Sequence, residues 1–305
     1  REIHALVRRQ RQMCIRDRQE ATREKYIKWS RVSLVLLIGI IALGLLGFIN
    51  VDARLFAENF AVFLTVVGFS YFAYLFLFAG LGDQDKKNLF LLLILFIGAA
   101  AFWSGFDQSA GSLNIFARDY TDLSVSGYII PIGWLQFANP LFVVIFAPIF
   151  AGIWTYLGRI NLNPSYPVKF AIGLAFMALS FVVMIFAVQV ALVSAPIGMQ
   201  WLILTYLIQT WGELALSPVG LSAFSKYAPR QYVGQMFGLW FLASAIGGVL
   251  AGLLGGDALD QGLTSISPVF EFMIQYYVLI AVALVGIALL GIAKSSDSKE
   301  SKATK

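Results

Sequence analysis

Long apolar runs recur along this chain: Val32–Ile49, Phe60–Leu81, Asn88–Ala117, Trp134–Leu157, Val168–Val193, Trp201–Phe224, Val233–Leu254 and Phe272–Ala293. A helix needs about 20 apolar residues to cross the hydrocarbon core of a bilayer. Only helices and closed barrels satisfy their own backbone in lipid, and runs of this length are helical rather than strand-like. Composition agrees: 59% of the residues are hydrophobic and 13% charged, against about 25% charged in soluble domains. The expected fold is all-α, a polytopic transmembrane helical bundle of about eight spans.

The basic residues orient the spans. Ten of the 22 Lys and Arg residues fall within residues 1–31, and Lys294, Lys299, Lys302 and Lys305 follow the last span. Lys86 and Lys87, Arg159 and Lys169, and Lys226 and Arg230 occupy alternate loops on the same side. The opposite loops hold Asp52, Arg54 and Glu58, then Arg118, Asp119 and Asp122, then the uncharged Ser194–Gln200, then Asp257 and Asp260. The positive-inside rule places both termini in the cytoplasm of a multi-pass protein of the cell membrane, as an even span count requires. The net charge of +5 therefore belongs to membrane collars rather than to a nucleic-acid surface. The first 30 residues lack the short apolar core of a cleavable signal peptide.

Enzyme chemistry finds little to work with. The one cysteine, Cys14, precludes an internal disulfide, and the one histidine, His4, lies in the polar N-terminal segment. Neither a metal cluster nor a Ser-His-Asp triad can be assembled in the spans. No catalytic residue, metal ligand or cofactor site is expected. Two charged residues lie deep inside spans, Asp107 and Glu213, and both are acids. A charge near the bilayer centre costs at least about 2.5–3.5 kcal/mol, so such groups are rarely idle. A carboxyl group in a poorly solvated cavity is a natural proton carrier; the bland alternative is a protonated acid that only bonds helices together.

Each acid has polar company. Trp103 and Gly111 lie one turn to either side of Asp107, with Gln108 adjacent and Asn114 two turns on. Gln209 and Ser217 share a helical face with Glu213 at i−4 and i+4. Gln136 and Asn139 sit three apart in the fourth span, and Trp240 interrupts a small, apolar seventh span. Pro140, Pro148 and Pro218 are expected to bend or interrupt their helices. Gly234 with Gly238, and Gly248 with Gly252, have the spacing of close helix contacts in lipid.

Four segments resemble the proton-dependent oligopeptide transporter family. Phe102-Trp103-Ser104-Gly105-Phe106-Asp107-Gln108 and the following Ser109–Ala117 are similar to the family's seventh core helix. Asn139-Pro140-Leu141-Phe142 leading to Ala147-Pro148-Ile149-Phe150 resembles its eighth. Gly212-Glu213-Leu214-Ala215-Leu216-Ser217-Pro218 resembles its tenth, and Phe237-Gly238-Leu239-Trp240 its eleventh. They occur in the family's order across residues 102–240.

The resemblance implies a major facilitator fold, with substrate held between two halves, and import of di- and tripeptides by proton symport. It implies that Glu213 and Asn139 meet the peptide's amino terminus, that Ser217 and Trp240 line the pocket, and that Asp107 serves proton coupling. Many members carry Glu where Asp107 stands, so the acid here is one methylene shorter. The proton gradient would supply the energy, with no cofactor. The resemblance implies a division into a basic segment 1–31, two linker helices 32–81, a C-terminal six-helix half 88–293 and a cytoplasmic tail 294–305. The family's basic pocket residues and its ExxERFxYY motif belong to an N-terminal half, and neither is found here. A zwitterionic peptide brings one cation and one anion; these spans offer only anions, so the carboxylate end must be met elsewhere. Gln10–Arg18 resemble translated adapter sequence, so residues 1–18 are expected to be foreign to the protein.

Other readings stay open: a different major-facilitator transporter, carrying nitrate, amino acids or drugs, or a membrane fragment that transports nothing. A diacid intramembrane protease is disfavoured, since neither acid has a GxGD context and HExxH is absent.

Overall fold

The computed structural model describes residues 27–36, 38–39, 43–44, 52–259 and 263–303. The chain divides into two compact units, Arg1–Phe56 and Ala57–Lys305. The helices are α1 (Ala53–Leu77), α2 (Asp83–Phe106), α3 (Ser112–Tyr120), α4 (Ile132–Gln136), α5 (Ala138–Arg159), α6 (Tyr166–Ser194), α7 (Gln200–Lys226), α8 (Val233–Leu259) and α9 (Leu263–Ala303). Asp52 starts α1 by accepting the backbone N–H of Arg54 and of Leu55 at 2.9 and 3.0 Å, the usual role of an N-cap carboxylate. The adapter-like residues 1–18 lie outside the described residues.

Six segments among the described residues are long and apolar enough to cross a membrane: Arg54–Leu77, Asp83–Tyr120, Ile132–Arg159, Tyr166–Ser194, Arg230–Gly255 and Ile266–Gly291. Eight spans are expected from the sequence, and the two that differ do so for separate reasons. Half of Val32–Ile49 falls outside the described residues, although 32–36, 38–39 and 43–44 are helical. The other, α7, is long enough at 27 residues, but Gln209, Thr210, Glu213 and their polar neighbours dilute its apolar character. That helix survives because it is buried among the others rather than facing lipid: Leu202, Thr205, Gln209, Thr210, Leu216 and Phe224 are all buried.

Two short sheets lie between spans. β2 (Ser124–Val125) and β3 (Tyr128–Ile129) form a hairpin around Ser126 and Gly127, both at positive φ, 51° and 86°. A two-residue turn of this twist needs positive φ at both central positions. β1 (Thr121–Asp122) pairs in parallel with β4 (Ile197–Gly198), Thr121 opposite Ile197, and so ties the loop after α3 to the loop before α7.

Lipid-like surroundings give helices no hydrophobic reason to associate, so close approach and hydrogen bonds must hold them. α6 and α7 meet at Gly173 and Gly212. A Cβ on Gly212 would lie 2.9 Å from the Gly173 carbonyl oxygen, which admits no side chain. α2 and α8 meet at Gly247, where a Cβ would lie 2.8 Å from the Ala100 carbonyl oxygen and 2.9 Å from the Ser104 nitrogen. The spacing of glycines in the sequence points instead to two GxxxG pairs. Of those four residues only Gly248 has a neighbour within 4 Å, the Asp107 carboxylate; Gly234, Gly238 and Gly252 face open space among the described residues.

Of the three prolines expected to bend or interrupt helices, Pro140 follows a turn at Phe137 that separates α4 from α5 within the span Ile132–Arg159. α5 contains Pro148 and α7 contains Pro218, and both helices run unbroken. Pro140 falls in the first turn of α5, where a missing N–H costs nothing. A further interruption occurs in the span Asp83–Tyr120, where no proline stands. α2 ends at Phe106, Asp107–Ser109 winds as a 3-10 turn, and Gly111 leaves helical geometry at ψ −110° before α3 begins.

Candidate functional site

The helical break presents Asp107 at mid-span. Its neighbour Gln108 is fully buried and fixes the break in place. Gln108 Nε2 donates to the Ala251 carbonyl of α8 at 2.8 Å, and Gln108 Oε1 accepts the hydroxyl of Ser112 at 2.7 Å. One turn earlier, Ser104 and Tyr277 of α9 share a hydrogen bond of 3.2 Å between their hydroxyls. The Asp107 side chain is half-buried and rests against Gly248, where an added Cβ would approach Oδ2 to 2.9 Å.

The second acid lies on α7. Asn139, in the first turn of α5, turns its amide nitrogen onto that helix. Asn139 Nδ2 donates to Glu213 Oε2 at 3.0 Å and to Thr210 Oγ1 at 3.0 Å. The Thr210 hydroxyl spends its own proton on the Tyr206 carbonyl at 2.7 Å, so toward Asn139 it can only accept. These directions fix the amide: the nitrogen is committed to α7. Neither Asn139 Oδ1 nor Glu213 Oε1 is engaged in a hydrogen bond among the described residues, and both are acceptors. A pair of acceptors, one of them a carboxylate, suits a primary ammonium, which brings three donors and no acceptor.

A cavity of about 180 Å3 adjoins this pair, lined by Phe106, Ser109, Gln136, Asn139, Tyr206 and Gln209 among others. Gln136 reaches the Ser109 carbonyl with its amide nitrogen at 3.4 Å. The cavity thus lies between the Asp107 break and the Asn139–Glu213 pair. Asp107 and Glu213 share no hydrogen bond among the described residues, and each faces a different helix, α8 and α5 respectively.

The structure brings Asn139 and Glu213 together and keeps Ser217 near them, half-exposed one turn along α7. It sets Trp240 apart. That side chain is 2% exposed and sits among Phe224 and Phe170, with ring centroids 5.5 and 6.4 Å away, over Gly220. Its surroundings are core rather than cavity. Thr210 is the site residue that sequence reasoning missed. Its position three residues before Glu213 puts it on the same face, and that spacing was the available signal. Among the described residues no group of acids, His and Cys could hold a metal ion.

The chain is similar to known proteins over most of its length. It is 37% identical over 259 residues to the peptide transporter YePEPT of Yersinia enterocolitica subsp. palearctica, covering 84% of this chain and 51% of that protein. It is 31% identical over 229 residues to a di-/tripeptide transporter of Lactococcus lactis subsp. cremoris, covering 72% of this chain and 46% of that one. The chain thus spans about half the length of the relatives it matches. Among solved structures it resembles the peptide transporter POT in complex with sulfate, at a TM-score of 0.75 and 29% identity over 88% of this chain and 53% of that one. A Glu-to-Gln mutant of peptide transporter POT in complex with alafosfalin matches at 0.73 and 28%, over 85% of this chain and 52% of that one. The fold is accordingly that of a major facilitator transporter. The family model described as the POT family matches residues 82–256, and the chain belongs to that family.

Proposed function

We propose that this chain supplies the C-terminal half of a proton-coupled symporter of di- and tripeptides, working with an N-terminal six-helix half. Both termini face the cytoplasm of a bacterial inner membrane, and the proton gradient provides the energy without a resident cofactor. The observation that carries this reading is the Asn139–Glu213 pair, with its amide directed onto the carboxylate and two acceptors left for an ammonium. The names of the relatives, peptide and di-/tripeptide transporters, support the substrate class.

In this scheme Glu213 and Asn139 hold the peptide's amine. Asp107, on a helical break, carries the coupled proton; a carboxylate at a discontinuity in a span is a recurrent site of ion coupling in transporters. Ser217 and Trp240 complete the C-terminal wall, Ser217 by contact and Trp240 by shaping α8 from within. The peptide's carboxylate is met by cations of the other half.

The test is Glu213→Gln in the complete transporter, with dipeptide binding followed by calorimetry. Loss of a charge-assisted hydrogen bond predicts at least about a tenfold weaker affinity for dipeptides with a free amine, and little change for N-acetylated ones. Unchanged affinity for the free-amine peptides overturns the assignment.

A further inference from the structure

The amine site lies midway along α7, and a second cavity lies at that helix's end. Its volume is about 480 Å3, and Leu81, Asp85, Asn88, Lys226, Pro229 and Arg230 are among the residues that line it. One wall comes from the start of α2 and the turn before it, the other from the end of α7 and the loop into α8. From Glu213 to Lys226 the helix rises about 20 Å, at about 1.5 Å per residue. The two sites are therefore separate.

This cavity stands at a membrane boundary. Asp85 and Asn88 fall in the first two turns of the span Asp83–Tyr120, and Arg230 is the first residue of the span Arg230–Gly255. Lys226 is the last residue of α7. Its ammonium lies over the rings of Tyr166 and Tyr227, 5.9 and 5.4 Å from their centroids. Tyrosines and cations collect in this way at the level of the lipid headgroups. The charges around the cavity are of both signs. Lys226 and Arg230 belong to one wall and Asp85 to the other, yet among the described residues Asp85 closes no ion pair with either cation. Asn88 accepts the side-chain amide of Gln84 at 3.1 Å, which leaves its own amide nitrogen as a donor.

Opposite charges that line one cavity without closing on each other suit an occupant that carries both. Two cations and an amide nitrogen are donors for a phosphate, and a carboxylate accepts from a primary ammonium. At about 30 Å3 per water-sized group the cavity holds about 16 such groups. That is room for a phosphate, an ethanolamine and the glycerol that carries them. Leu81 and Pro229 give the glycerol end an apolar edge, and at the end of a span the acyl chains have the bilayer core to enter. We infer that this cavity binds the headgroup of a phospholipid bearing a primary amine, with the phosphate on Lys226 and Arg230 and the ammonium on Asp85. A phosphoglycerol headgroup supplies the anion and leaves Asp85 facing no cation. A phosphocholine headgroup brings a cation that has no N–H to donate. A lipid held here bridges the turn before α2 and the α7–α8 loop.

In the experiment the complete transporter is purified in detergent, stripped of lipid and titrated with short-chain phosphatidylethanolamine, phosphatidylglycerol and phosphatidylcholine, and binding is counted by native mass spectrometry. Phosphatidylethanolamine should bind at least about threefold tighter than either of the others. Lys226→Gln combined with Arg230→Gln should weaken phosphatidylethanolamine by about tenfold and leave the unfolding midpoint in lipid-free detergent at its wild-type value. Should the double variant fail to fold, Arg230→Gln alone serves the same comparison, at an exposed position. Asp85→Asn should erase the preference for phosphatidylethanolamine over phosphatidylglycerol, with phosphatidylglycerol bound at least as tightly as before. Equal binding of the three lipids, unchanged affinity on loss of the cations, or a preference that survives Asp85→Asn overturns the site. So does free phosphoethanolamine that binds as tightly as the lipid, since the occupant would then be a soluble phosphate compound.

Discussion

The side-chain amide of Gln108 donates to the main-chain carbonyl of Ala251 at 2.8 Å, so the break in the span Asp83–Tyr120 is stapled to the neighbouring helix by a residue adjacent to Asp107. In a poorly solvated interior that bond has no water to replace it, and the same amide oxygen is committed to Ser112. The break is therefore held as a defined turn rather than a loose joint, and the Asp107 carboxylate is aimed at Gly248.

Replacing Gln108 by Ala removes both bonds at once and leaves the Ser112 hydroxyl without its acceptor. The expected cost is about 1–3 kcal/mol, read as a lower unfolding midpoint in detergent. Hydrogen exchange should rise at 107–111 more than elsewhere. A Gln108→Ala protein with wild-type melting and exchange at the break would show that the staple does not hold it.

The three glycines in one turn and a half of α8 should differ sharply. Gly247→Ala drives a methyl into the Ala100 carbonyl and the Ser104 nitrogen of α2, which are backbone and cannot rotate away. It should be severely destabilising. Gly248→Ala meets only the end of the Asp107 side chain at 2.9 Å. It should fold, yet alter the pH dependence of proton-driven uptake. Gly252→Ala meets nothing within 4 Å among the described residues and should match wild type in both measurements. Equal effects at all three positions would contradict the α2–α8 contact described above.

The two acids were legible before any coordinates, because charged groups deep in apolar spans stand out by their cost alone. So were the long helices; family likeness put Asn139 and Glu213 at the same end of the substrate, and their direct hydrogen bond is a finding of the structure. The helical break at Asp107 was not legible. Prolines announce interruptions by their chemistry, yet Pro148 and Pro218 sit inside intact helices, while the break uses Gly111 and a buried glutamine whose partner, Ala251, lies 143 residues away. Trp240 shows the same limit from the other side. A lone tryptophan among small residues is more often core or interface than pocket wall, while family likeness put Trp240 at the pocket, and only its packing on Gly220, Phe170 and Phe224 decides where its ring lies. Gln209 was recognised as sharing the Glu213 face, but that its buried amide nitrogen has no hydrogen-bond partner among the described residues is a property of the assembled cavity.

Asp107→Asn preserves shape and removes the exchangeable charge. If Asp107 carries the coupled proton, accumulation of labelled dipeptide against its gradient should be lost in liposomes with an inward proton gradient. Counterflow exchange needs no net proton movement and should persist within a few-fold of wild type. Accumulation that survives the substitution would make Asp107 a structural acid of the α2–α8 contact.

The 305-residue chain by itself should enter membranes yet fail to concentrate peptide. Its spans and loop charges are encoded locally, which is sufficient for insertion. Alternating access in this fold requires one half to move against the other around a shared site, and the segment around α5 carries the apolar surface that a second half would cover. No residue of the apolar window in Ile132–Arg159 is buried, and Trp134, Phe137 and Val144 are each at least 70% exposed, although Asn139 in the same span hydrogen-bonds Glu213. A helix that packs Phe142 and Phe146 on its neighbours while leaving most of its large apolar side chains exposed has a face to spare for another body. In detergent the isolated chain should therefore self-associate, seen as heterogeneous species by light scattering. Reconstituted with an inward proton gradient and labelled dipeptide, it should give no saturable accumulation. Saturable uptake by this chain alone would mean that two copies form the transport unit, and that a cation for the peptide's carboxylate is present among residues not assigned to the site.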